Sequence, residues 1–249
     1  MKILITGGRS EMAAALAARQ IGFGNQVVVT ASSQESADGV RAMYAARNLA
    51  VDVVVFPLDP TIPPSSDLEA VLDAGVDALV LNAAPPIKRF KLAHLYTPDE
   101  VHSQISLNVE GNVRLVQRVL PGMIAKSFGR LVFVSSAMVA TGTTKHGLYC
   151  LSKGAMEAFF FNLAVDYGKK NILANVLRPG IVRTERTRRF WKRPAYVEKA
   201  RRLIPQGVLG EPAQIAEAFD PLLSPTSYMT GSVVTVSGGL PLMNLGGTD

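Results

Sequence analysis

Val134-Ser135-Ser136-Ala137-Met138-Val139-Ala140-Thr141-Gly142-Thr143-Thr144-Lys145-His146-Gly147-Leu148-Tyr149-Cys150-Leu151-Ser152-Lys153 is the stretch around which the chain is organised. It sets Ser136 thirteen residues before Tyr149, and Lys153 four residues beyond the tyrosine. A helix starting near Gly147 puts Tyr149 and Lys153 one turn apart on one face. An ammonium beside a phenol favours the phenolate and lowers the tyrosine pKa from its usual value of about 10. Such a phenol is a usable general acid or base near neutral pH. A serine at the end of the preceding strand can hydrogen-bond the same substrate oxygen and hold it in place. Tyrosine and lysine at this spacing are common on helices, where they usually mean a solvated lysine beside a half-buried ring. Ser136 upstream and a glycine-rich turn at the N-terminus favour the catalytic reading.

The 249 residues suit one α/β domain, 1–249. Apolar residues make up 48% and charged residues 18%, which leaves ample material for a core. The single cysteine, Cys150, rules out an internal disulfide and suits a reducing compartment. No apolar run approaches the ~20 residues that cross a bilayer, and the chain opens directly on a strand. The expected compartment is the cytoplasm. The net charge of +6 is local: Arg183 to Arg202 holds nine basic residues and two acidic ones, and the remainder is close to neutral. A single basic patch is a small footprint for nucleic acid, which is not an expected partner; nor is a membrane. His94, His102 and His146 lack metal-ligand spacing, so no metal is expected.

Short apolar runs alternate with amphipathic stretches of helical length. The expected strands are Lys2–Thr6, Gln26–Thr30, Val53–Phe56, Ala78–Asn82, Arg130–Ser135, Ile172–Leu177 and Ser232–Val236. The expected helices are Ser10–Ile21, Gln34–Arg47, Asp67–Asp73, Pro98–Lys126, Gly147–Gly168 and Pro212–Leu223. Alternating strands and helices, with β-branched strands, predict a doubly wound, seven-stranded, mostly parallel sheet with helices on both faces.

After the first strand comes Thr6-Gly7-Gly8-Arg9-Ser10-Glu11-Met12-Ala13. With Ser136, Tyr149 and Lys153 behind it, this turn resembles that of the classical short-chain dehydrogenase/reductase family, and the likeness covers nearly the whole chain. The resemblance implies a Rossmann-type domain and a nicotinamide-dependent oxidoreductase interconverting a carbonyl and an alcohol. The family turn is T-G-x-x-x-G-x-G, in which backbone amides and a helix N-terminus meet a pyrophosphate. Here Glu11 and Ala13 replace the second and third glycines. Glu11 either crowds the anionic cofactor or turns outward and complements the helix dipole, and the outward arrangement is favoured.

The same resemblance assigns the other site residues. Asn108, in S-L-N-V-E-G-N, matches the helix asparagine that completes a proton-relay tetrad with Ser136, Tyr149 and Lys153. Gly7, Arg9, Met12, Asp59, Asn82, Ala83, Pro179, Val182 and Thr184, together with Tyr149 and Lys153, fall where the family contacts its cofactor. Thr30-Ala31-Ser32-Ser33 lacks the acidic residue of NAD-specific relatives, and Arg9 can meet a 2′-phosphate, so NADP(H) is expected over NAD(H). Asp59 is equally readable as a turn-initiating residue before Pro60.

Near 183–211 the resemblance implies a substrate lid, here rich in arginine with Phe190 and Trp191 among the cations. Arginine forks suit an anionic group: a carboxylate, a phosphate-bearing thioester or the acidic face of a carrier protein. The alternative is a solvated surface loop. Family members commonly form tetramers or dimers. Phe159-Phe160-Phe161 cannot all share one helical face, so at least one ring is expected on a second surface.

Two other functions compete. Halohydrin dehalogenases share the fold and the Ser/Tyr pair without a dinucleotide, and the ending Tyr228-Met229-Thr230-Gly231 is similar to theirs; they use arginine where this chain has Lys153. A non-catalytic binding module is the third reading, against which all four catalytic residue types are present.

Overall fold

The computed structural model describes residues 1–85 and 90–240. Seven strands form one sheet: β1 (Lys2–Ile5), β2 (Gln26–Ala31), β3 (Asp52–Val55), β4 (Ala78–Leu81), β5 (Gly129–Val134), β6 (Ile172–Pro179) and β7 (Val233–Val236). Their order is β3-β2-β1-β4-β5-β6-β7 and all six pairings are parallel. Ile5 stands beside Val29 on one side and Val80 on the other, so β1 and β4 mark where the winding reverses. Ligand crevices in such sheets open at that point, beyond the carboxyl ends of the strands.

Alternation along each strand feeds two helical layers. Ile3, Ile5, Val132 and Val134 pack with α1 (Glu11–Gly22), α2 (Gln34–Ala45), α10 (Pro212–Glu217) and α11 (Asp220–Leu223). Leu4, Leu131 and Phe133 pack on the opposite face with α3 (Ser66–Asp73), α5 (Gly111–Lys126) and α7 (Gly147–Tyr167). Burying each such side chain contributes about 1.5–3 kcal/mol, which is why both faces of the strands are apolar.

The expected continuous helix Pro98–Lys126 is interrupted. It divides into α4 (Pro98–Ile105), a π-helical turn over Ser106–Glu110, and α5. The Asn108 side-chain amide donates to the Gln104 carbonyl at 3.1 Å, and that of Asn112 to the Asn108 carbonyl at 2.8 Å. Side-chain bonds of this kind compete with the helical ladder. Gly111 then passes so close to the Leu58 carbonyl oxygen that a Cβ would lie 2.0 Å from it.

Pro212–Leu223 also divides, into α10 and α11, because Pro221 lacks the amide a continuous helix needs. Two helices were not foreseen in the basic stretch, α8 (Arg188–Trp191) and α9 (Pro194–Leu203). Around α9, Ala200, Ile204 and Leu209 bury a small core of their own with Trp191, Tyr196 and Val197. No helix among the described residues is long and apolar enough to cross a membrane.

Candidate active site

At the end of β5 the chain turns through Ser135 and Ser136 into the short helix α6 (Met138–Thr141), whose Met138 amide donates to Ser136 Oγ at 3.2 Å. Gly142 leaves that helix with φ +65°, and α7 starts at Gly147 as the spacing predicts. Tyr149 and Lys153 therefore occupy successive turns of α7, with Ser136 meeting Tyr149 from the turn beyond β5.

Lys153 is 4% exposed, and its Nζ donates to the Val134 carbonyl at 2.7 Å. The ammonium lies 4.6 Å from the Phe133 ring centroid and 5.9 Å from that of Tyr149. Burial pushes its pKa down from 10.5 to about 7; the Arg186 charge adds to that fall, and Glu157 opposes it.

The expectation that Lys153 lowers the tyrosine pKa needs correction. Burial raises the Tyr149 pKa, and the counteracting influences are the Ser136 hydroxyl and the Arg186 charge. The reason is desolvation of both partners: a half-neutral lysine bonded to a strand carbonyl exerts little field on the phenol. Asn108, 3% exposed, sits in the π-helical turn, where its carbonyl is occupied by Asn112.

At the winding reversal, β1 runs into the Gly7 turn. Gly7 has φ +73°, and a Cβ there would lie 3.0 Å from Ala83 Cα, so only glycine lets this turn reach the β4 end. Thr6 Oγ1 accepts from the Asn82 and Ala83 amides at 3.0 and 2.9 Å. The Asn82 side chain returns bonds to the Thr6 carbonyl (2.9 Å) and Ser10 Oγ (3.1 Å). Ser10 caps α1, accepting from Ala13 N at 3.0 Å. Met12 lines the crevice floor with Asn82 and Val134.

Glu11 points neither into the turn alone nor simply into water. Its carboxylate accepts the Glu185 backbone amide at 2.8 Å, which ties α1 to the segment beyond β6. Arg9 is exposed in the first turn, and β2 runs out through Thr30-Ala31-Ser32-Ser33 with no acidic residue among them. The interlocked Gly7 cradle, the positive end of α1 and this uncharged β2 end fit a dinucleotide.

Asp59 is engaged locally: its Oδ1 accepts from the Thr61 amide at 2.9 Å and hydroxyl at 2.6 Å, bonds that hold its carboxyl below the usual range. Arg114 of α5 braces the same loop through the carbonyls of Pro60 and Ile62 at 2.7 and 3.0 Å.

β6 delivers the third wall. Pro179 accepts the Ala137 amide at 3.0 Å, and Gly180 lies against Ser237, where a Cβ would come within 2.7 Å. Val182 is buried, its carbonyl taken by Thr187 at 2.7 Å, and the Thr184 carbonyl accepts Trp191 Nε1 at 2.8 Å. Arg186 then reaches across the crevice and donates to the carbonyls of Ala84 (3.0 Å) and Pro85 (2.9 Å). Beside it, Arg189 lies over the Phe90 and Phe190 rings, and Phe90 contacts His146 at 4.6 Å between centroids.

Two features escaped the sequence reading. Arg186 was visible only as one cation among nine. Glu157, buried beside Ser135 and the half-buried Arg178, left a clear signal: a lone carboxylate in the apolar run Met156-Glu157-Ala158-Phe159. Among the described residues no cluster of three or more metal-binding side chains is present.

The family model for enoyl-(acyl carrier protein) reductase matches residues 8–241. Dehydrogenase/reductase SDR family member 4 of Bos taurus is 30% identical over 95% of this chain and 85% of its own length. The chain belongs to the short-chain dehydrogenase/reductase family. Among solved structures of the family, a 3-oxoacyl (acyl-carrier-protein) reductase from Agrobacterium tumefaciens C58 with NADP bound superposes with TM-score 0.85 at 28% identity, covering 96% of this chain and 93% of that one. A gluconate 5-dehydrogenase from Burkholderia cenocepacia J2315 in complex with NADP and tartrate gives TM-score 0.84 at 25% identity, covering 96% and 94%. The family-model match thus takes in the Ser136–Lys153 stretch and the loop after β6, and it begins at Gly8 inside the first turn.

Proposed function

We propose that this protein is an NADP(H)-preferring oxidoreductase that interconverts a carbonyl and an alcohol, with Asn108, Ser136, Tyr149 and Lys153 as its catalytic residues. The observation that carries the reading is the convergence of Ser136, just beyond β5, with Tyr149 and Lys153 of α7, near the Gly7–Asn82 cradle. The bound nicotinamide supplies and accepts hydride.

The chain's own residues do the rest. Ser136 Oγ orients the substrate oxygen. The Tyr149 phenol, kept protonated at neutral pH by burial, gives its proton to that oxygen in reduction and takes it back in oxidation. Lys153, poised near neutrality, holds or releases a proton behind it, and Asn108 anchors the outward path through the π-helical turn. Gly7, Met12, Asn82, Ala83, Asp59, Pro179, Val182 and Thr184 line the cofactor crevice, and Arg9 meets the 2′-phosphate.

The segment 183–211 acts as a lid on the single domain. Arg186 bridging to Ala84 and Pro85, and the Arg189–Phe90–His146 contacts, support a cover that excludes water from the reaction. Its charge favours an anionic or carrier-bound substrate.

The test is titration with NADPH and NADH together with turnover. Wild type should bind NADPH more tightly, Arg9→Ala should narrow the difference, and Tyr149→Phe should lose nearly all turnover while binding cofactor normally. Binding of neither nucleotide would overturn the assignment in favour of a halide pocket.

A further inference from the structure

Glu157 lies one turn beyond Lys153 on α7, so Tyr149, Lys153 and Glu157 occupy one helical stripe. Its neighbours Met156 and Phe160 are fully buried, and Glu157 itself is 4% exposed. A carboxylate in such surroundings is destabilising unless it is paired and fully hydrogen-bonded. Here both oxygens are satisfied. Arg178 Nε donates to Oε1 at 2.8 Å and its Nη2 donates to Oε2, a two-point grip; the Ser135 hydroxyl also donates to Oε1.

The positions of the three partners matter more than their number. Ser135 precedes Ser136, Arg178 precedes Pro179, and Glu157 follows Lys153 by one turn. One carboxylate thus joins the three segments that carry the serine, the lysine and the loop from Pro179 to Thr184. We propose that Glu157 is a positioning residue of the active site, fixing these segments in register and setting a countercharge one turn from Lys153. The proposal rests on the roles assigned above to Ser136, Tyr149 and Lys153.

The charged and titratable groups around Lys153 are Tyr149 and Glu157 on α7, Arg178 of β6 acting through Glu157, and Arg186 from the segment beyond β6. β5 offers the neutral Val134 carbonyl and the Phe133 ring. Glu157 is the anion of this set, and Arg178 partly neutralises it. Removing Glu157 should therefore lower the Lys153 pKa, and removing Arg178 should raise it.

The experiment follows the Lys153 signal in protein labelled with 13Cε-lysine, assigned by its loss in Lys153→Arg, across pH 5 to 10 (about the range that brackets the buried value). In Glu157→Gln the titration should fall by about one unit, and in Arg178→Gln it should rise by about as much. Ser135→Ala, which leaves both charges, should keep the midpoint and lower kcat severalfold with little change in KM. A Lys153 midpoint unmoved in the charge variants, or moved the same way by both, overturns the countercharge role; an unchanged kcat in Ser135→Ala overturns the registering role. If one charge variant does not fold, the direction seen in the other decides. The titration needs no cofactor or substrate, so it stands apart from any failure of the oxidoreductase assignment.

Discussion

Glu11 and Glu185 lie 174 residues apart, and the carboxylate of the first accepts the backbone amide of the second at 2.8 Å. The residue that replaces a family glycine thus stitches the Gly7 turn to the segment proposed as a lid. Two effects are superposed in it: a negative charge beside the crevice for an anionic cofactor, and a mechanical tie.

Two substitutions separate these effects. Glu11→Gln keeps an acceptor for the Glu185 amide and removes the charge, so NADPH should bind about fivefold more tightly, as expected for relief of one like-charge contact near a surface. Glu11→Gly removes both, and trypsin should then cut faster after Arg186 and Arg188. Cofactor fluorescence and a proteolysis time course measure the two. Equal nucleotide affinity in Glu11→Gln and wild type would show that the carboxylate does not oppose the cofactor.

Lys153 makes folding depend on pH. Its pKa falls from 10.5 unfolded to about 7 folded. Between those values the unfolded chain holds a proton that the folded site has released, so stability rises with pH from 7 to 10.5; below 7 the full penalty of a buried charge remains. Lys153→Met removes this dependence. Its gain in Tm over wild type should be greatest below about pH 7 and shrink steadily towards about pH 10 in thermal denaturation. A constant difference across the range would contradict a depressed lysine.

Arg186, rather than Arg188 or Arg189, is the cation of the basic stretch that acts on Tyr149. Arg188 pairs with Glu185, and Arg189 stacks on Phe90 and Phe190. Losing the Arg186 charge leaves burial less opposed, so the Tyr149 pKa rises further. Arg186→Ala should shift the pH profile of alcohol oxidation to the alkaline side, with Arg186→Lys restoring it. The same change should raise KM for an acid substrate more than for its neutral ester, and added salt should narrow that gap.

The α7 helix also presents an apolar stripe to the outside. Leu151, Phe161 and Val165 are 51%, 39% and 82% exposed, while Phe160 is fully buried, so the three consecutive phenylalanines do divide between two surfaces. A contiguous stripe of this kind suits a second copy of the chain. Light scattering should find an oligomer at micromolar concentration, and Phe161→Asp with Val165→Asp should reduce it to monomers without loss of secondary structure. A wild-type monomer would refute the assembly.

Much of this protein is readable from its sequence. The seven apolar β-branched runs became seven strands, with ends displaced by a residue or two, because burial on both sheet faces requires apolar residues throughout. Tyr149 and Lys153 share a face because helical periodicity is local and needs no partner. The break at Asn108 was signalled only as a mid-helix asparagine; its conversion into a π-helical turn needed Asn112 and the close pass of Leu58 at Gly111.

What the tertiary structure decided is chiefly electrostatic. The sequence supplies an ammonium beside a phenol, and from that pair alone the phenol pKa falls. In the fold both groups are desolvated, the ammonium turns to Val134, and the phenol pKa rises instead. Arg186 reaches Ala84 and Pro85 about a hundred residues back along the chain, and Glu157 finds Arg178 on β6 and Ser135 just beyond β5. Periodicity and propensity act between neighbours in sequence and can be read there. Charge and desolvation act between neighbours in space, and which residues those are is settled only when the sheet and its two helical layers close.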